Sequence, residues 1–132
     1  MLGAVALAFA IARTIDPAID RAWPDLVLFR FPHLDDPVAR AIDLSFGLAL
    51  TAVAEELVFR KLALNLFVDR LGSAGTLWFS SVLFGLIHWS SGLGPIVGGA
   101  LIGAVFMLLL RKTNSVIPAI GAHYLVNLAI VY

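Results

Sequence analysis

Near the middle of an otherwise apolar stretch from 41 to about 68 stand two adjacent acids, Glu55 and Glu56, with Arg60 and Lys61 one turn further on. The stretch exceeds the roughly 20 residues that a helix needs to cross a bilayer. A charged side chain at the centre of such a helix costs about 2.5 to 3.5 kcal/mol to insert, against a gain of about 0.3 to 0.6 kcal/mol for each Leu, Ile, Val or Phe. Two glutamates therefore offset most of the apolar gain of their own helix. They need partners inside a bundle, which makes them candidates for function.

The rest of the chain agrees with a membrane reading. Of 132 residues 61% are apolar and 14% charged, with a formal net charge of +0, far from the balance of a soluble domain. No run of Lys or Arg suggests a nucleic-acid surface. With no cysteine, disulfides, thiolate ligands and cysteine nucleophiles are excluded.

Residues 1 to 12 form an apolar run closed by Arg13, read as a retained helix because a cleaved signal needs a basic start and a polar mature domain behind it. From 14 to 40, Pro, Asp and Arg alternate with Trp23, Phe29 and Phe31, the pattern of an interfacial connector with aromatic anchors. The long helix of 41 to about 68 follows, then a Gly-containing turn at 71 to 75 and a short third segment from 76 to about 89. Pro95 opens a fourth helix to about 110, where Gly99 and Gly103 have the small-xxx-small spacing of close helix contacts. A fifth segment runs from about 115 to the end. The expected fold is all-α, a polytopic membrane bundle of four to five helices, with 1–40 as an N-terminal membrane and interfacial segment and 41–132 as the core. Arg60, Lys61, Arg70, Arg111 and Lys112, assigned to loops on one side, exceed by one the four Arg of the connector side, a margin that leaves orientation undecided.

Glu56 and Arg60 are spaced i,i+4 with the acid first, the favourable order for an ion pair within one helix. Glu55 lies about 100° around the helix from Glu56 and is left to face a cavity. Phe84 and His88 share one face of the third segment, and His123 and Asn127 one face of the last. Each has a plainer reading: a hydrogen-bonded core histidine, an interhelical asparagine, an ion-paired cluster, a packing phenylalanine. What favours function is that one carboxylate, two imidazoles and an amide lie on three helices of a short chain.

The residues Glu55-Glu56-Leu57-Val58-Phe59-Arg60 read EExxxR, Phe84-Gly85-Leu86-Ile87-His88 read FxxxH, and His123-Tyr124-Leu125-Val126-Asn127 read HxxxN. In this order they resemble the CPBP, or ABI, family of intramembrane proteases, the type II CAAX prenyl endopeptidases and their bacterial relatives, over about 41 to 132. The resemblance implies that Glu55 with His88 activates a water for attack on a peptide carbonyl. It further implies that His123 and Asn127 stabilise the oxyanion, while Glu56, Arg60 and Phe84 support the site. Donors fixed in a low-dielectric site are worth more than in water, which suits that scheme. A zinc held by Glu55, His88 and His123 and a metal-free site are both compatible with these residues, although no HExxH helix is present.

The implied partner is a membrane-associated peptide or protein substrate within the lipid bilayer of a bacterial-type cell, of CAAX type or of the kind processed in bacteriocin systems. Two other classes use the same residues differently: a small transporter subunit, and a catalytically silent scaffold or immunity protein. A transporter needs polar residues along a whole crossing, and the fourth helix has none between Gly94 and Arg111.

Overall fold

The computed structural model describes residues 1–24 and 34–131. Among them the chain is helical throughout: α1 (Leu2–Ala22), α2 (Pro37–Ile42), α3 (Leu48–Glu56), α4 (Ala63–Leu86), α5 (Leu93–Thr113) and α6 (Ile117–Val131). π-helical segments, Asp43–Gly47 and Leu57–Leu62, join α2 to α3 and α3 to α4, so that 37–71 is one continuous rod. Gly72 breaks it with φ 67° and ψ 176°, a left-handed value that glycine adopts without steric cost. The rod from 73 to 86 returns antiparallel, which gives five rods and agrees with the expected all-α bundle.

The first helix differs from its sequence reading. It does not end at Arg13 but continues through Pro17 to Ala22, over residues expected to belong to the connector. Asp16 and Asp20, one turn apart, read as loop residues; in the fold they lie against the start of α5, where Gly94 and Gly98 carry no side chain. The Gly94 amide, unpaired at a helix N-terminus, donates to Asp20 Oδ1 at 2.9 Å. Arg13 reaches the far end of α6 and donates to the carbonyl of Ala129 at 2.8 Å. Of the expected connector aromatics, Trp23 is exposed just past α1, and Phe29 and Phe31 lie outside the described residues. The second rod opens at Pro37 with Asp36 as its cap, Oδ1 accepting from the Ala39 amide at 2.7 Å.

One apolar core joins α1, α5 and α6. Ala8 and Ala12 of α1 pack with Ile102, Phe106 and Leu109 of α5 and with Ala119, Ala122 and Val126 of α6. Small residues on α1 and α6 let the three helices approach closely, the usual way membrane helices associate. The returning rod meets α5 through the expected glycines. A Cβ on Gly99 would stand 3.3 Å from Gly85 Cα, and one on Gly103 would stand 3.2 Å from the Phe84 ring. Asn114, with φ 50°, stops α5 in a left-handed turn.

Large apolar residues such as Leu50, Trp78, Leu108 and Ile117 face outward. Among the described residues two helices, α1 and α5, are long and apolar enough to cross a membrane, and 117–130 of α6 is a shorter apolar helix. Arg60, assigned above to a loop, is instead fully buried within the π segment. Its charge is matched inside the bundle, so it carries no weight in the positive-inside comparison.

Candidate active site

The segment that carries Glu55 and Glu56 changes pitch immediately after them, from α3 to the π segment Leu57–Leu62. Such wider turns are rare and often mark functional positions in helices. Here the π segment holds Arg60 beneath Glu56, and a hydroxyl from the returning rod, Ser80 Oγ, donates to the Phe59 carbonyl within it.

Glu56 is the hub. Its Oε1 accepts from His123 Nδ1 at 2.9 Å, and its Oε2 lies 3.1 Å from Arg60 Nε. Both Glu56 and Arg60 are fully buried. The Arg60 contact is an ion pair without hydrogen-bond alignment, and the guanidinium nitrogens find no acceptor among the described residues. What compensates the buried cation is aromatic: its centre stands 4.1 Å from the Phe84 ring centroid and 5.7 Å from that of Phe106. A desolvated cation over an aromatic face is held by about 2 kcal/mol or more.

His123 is thus fixed at one nitrogen and free at the other. With the Nδ1 proton committed to Glu56, the ring presents Nε2 toward Glu55, whose Oε2 is 3.6 Å away. That is beyond hydrogen-bond length and of a size that a small group or slight closure bridges. Glu55 is the half-buried member of the pair, so it borders space that Glu56 does not reach. Phe106 lies tilted against the His123 ring, with centroids 5.3 Å apart and planes at 32°, and packs on one side of it.

His88 stands beyond the end of α4. Its Nδ1–H donates to the Phe84 carbonyl at 3.0 Å, which leaves Nε2 as the acceptor. Gly99 makes room for the ring, since a Cβ there would lie 3.3 Å from Nδ1. Phe84 meets both histidines edge-on, at 5.3 Å from His88 and 5.7 Å from His123.

The structure therefore brings Glu55, Glu56, Arg60, Phe84 and His123 together and attaches His88 through Phe84. The imidazole within reach of Glu55 is that of His123, whereas the sequence reading joined Glu55 to His88. Asn127 is half-buried one turn beyond His123 on α6 and makes no hydrogen bond among the described residues. Three contributors had no sequence signal: Phe106, one apolar residue among many on α5; Ser80; and Tyr124, whose hydroxyl donates to the Leu44 carbonyl at 3.0 Å and ties α6 to the first π segment.

The donor set named for zinc does not gather. The Phe84 ring contacts both imidazoles, and among the described residues no three His, Asp or Glu side chains form a metal-binding group.

No curated protein and no solved structure matches the chain. A family model, type II CAAX prenyl endopeptidase Rce1-like, matches residues 37–129, from the first residue of α2 to near the end of α6. The match takes in all three motifs and the whole cluster around Glu56 and His123. With most of the chain matched, from α2 to α6, the chain is a member of the Rce1-like family of type II CAAX prenyl endopeptidases, which are integral to the membrane.

Proposed function

We propose that this chain is an intramembrane endopeptidase in which Glu55 is the general base that activates a water for attack on a peptide carbonyl of a membrane-associated substrate. The observation that carries the reading is the gap between Glu55 Oε2 and His123 Nε2, 3.6 Å, with the opposite nitrogen of that ring locked to Glu56. Glu55 takes a proton as the water oxygen bonds to the carbonyl carbon. His88 Nε2, the free acceptor of its ring, orients that water. The proton passes from Glu55 to His123 Nε2, and the resulting N–H, with the Asn127 side-chain amide, donates to the oxyanion. Collapse of the tetrahedral carbon breaks the C–N bond, and the proton returns through Glu55 to the leaving amine. Glu56 and Arg60 hold His123 in place throughout, and the scheme uses side chains alone. Preorganised donors at the oxyanion are commonly the largest single contribution to such catalysis.

The substrate class is a membrane-anchored protein or peptide whose scissile bond reaches the bilayer, of the CAAX type that the family description names. The deciding experiment compares membrane-associated peptides, by quantitative mass spectrometry, in cells that express the wild-type chain or Glu55→Gln at equal levels. Uncleaved precursors that accumulate only with Glu55→Gln support the protease and identify the substrate. Identical peptides in both strains, with a phenotype that only deletion of the whole chain produces, would replace it by a binding scaffold.

A further inference from the structure

Two cavities lie apart from the residues of the proposed mechanism, and one of them carries a charge. The charged one lies between the π segment and the turn from α5 to α6, holds about 490 Å³, and is lined by Lys61, Asn65, Asn114 and Ser115 together with apolar residues that include Leu57 and Ile117. No carboxylate lines it. Lys61 is exposed and pairs with no carboxylate among the described residues. A lining that combines one unpaired cation, amide and hydroxyl donors and apolar side chains suits a ligand with an anionic end and an apolar end.

The charge layout of the bundle says where that ligand comes from. The Gly72 kink and the α5–α6 turn lie at one end, joined by Arg111, which donates to the Ser73 carbonyl. That end carries Lys61, Arg70, Arg111 and Lys112 against the single acid Asp69. Asp16, Asp20, Asp35, Asp36 and Asp43 stand at the opposite end, with the starts of α2 and α5, and outnumber Arg13, Arg21 and Arg40 there among the described residues. The net positive charge of the first end attracts anionic headgroups, and the excess of acids at the other repels them. The carboxylate-free cavity beside Lys61 thus opens at the end whose net charge favours an anionic headgroup.

We infer that this cavity binds the headgroup of an anionic phospholipid. Lys61 faces the phosphate, Asn65, Asn114 and Ser115 donate to its oxygens, and Leu57 and Ile117 receive the first carbons of an acyl chain. Lys61 directly follows Arg60, so the bound lipid braces the outer side of the π segment whose inner side carries the Arg60–Glu56 pair.

The test is native mass spectrometry of the full chain in neutral detergent, with dioleoyl phosphatidylglycerol, dioleoyl phosphatidylcholine and inorganic phosphate as probes. The wild-type chain should retain the anionic lipid in preference to the neutral one. Lys61→Gln should lower that retention about five-fold, the weight of one basic residue near anionic lipid. Arg21→Gln, at the opposite end, should leave it unchanged. Ile117→Trp, which fills the apolar wall, should lower it while circular dichroism stays that of the wild type. Equal retention of both lipids, or no change in Lys61→Gln, would overturn the inference. So would displacement of the lipid by millimolar inorganic phosphate, since the site would then be one for a free anion.

Discussion

Glu56 and His123, 67 residues apart in the chain, meet at 2.9 Å in a place without solvent. Because the same carboxylate also faces Arg60 at 3.1 Å, one side chain links the helix of the acid pair to the last helix of the bundle. The link has consequences for stability and for turnover that can be measured apart.

Removing one partner of a buried pair strands the other charge, which costs about 3 to 5 kcal/mol, whereas replacing both by apolar groups is often close to neutral. Arg60→Met should accordingly destabilise the chain by about that amount in denaturant titrations in detergent micelles, and Glu56→Gln by a similar amount. The double variant should recover a large part of the loss. Its activity should not return in full, since a neutral amide oxygen holds the His123 Nδ1 proton less strongly than the carboxylate does. Additive losses in the double variant would show that the two residues are not coupled through this contact.

Asn127 is half-buried and makes no hydrogen bond among the described residues, so the fold does not depend on its amide. Asn127→Ala should keep the melting temperature of the wild-type chain. If the amide donates to the oxyanion, turnover of the precursor should fall by about 10² to 10³, the usual effect of one lost donor. A melting temperature that falls in step with activity would point instead to an interhelical packing role.

Gly99 holds α5 against Gly85 and leaves space for His88. Gly99→Val has no room to accommodate and should cost about 1 to 3 kcal/mol through overpacking, with loss of activity from displacement of the imidazole. Gly3→Val, where nothing lies within 4 Å, serves as the control and should be silent in both assays.

Much of this arrangement was legible in the sequence. The i,i+4 spacing of Glu56 and Arg60 fixed their pairing, since that relation is local and follows from helix geometry. Gly72 marked the turn, and Gly99 and Gly103 marked the close approach of two helices, because a missing side chain has a direct steric meaning. The contact of Glu56 with His123 was not legible: it depends on how helices far apart in sequence dock, and no period encodes that. Asp16 and Asp20 were misread for a related reason. Their polarity suggested a connector, and only the glycines of α5 opposite them make a helix tolerable there. Arg60 looked like a loop cation until its aromatic surroundings, Phe84 and Phe106, came from two other helices.

The π segment Leu57–Leu62 sets a phase boundary in a rod that is otherwise α-helical on both sides. Upstream of it, the helix aims Glu55 and Glu56 inward on the pitch of α3; downstream, α4 resumes on a rotated face, so the lipid-facing stripes of the two halves are out of step. The inward aim of the acid pair and the outward aim of the apolar residues beyond it are therefore set separately, and substitutions on one half can proceed without turning the other.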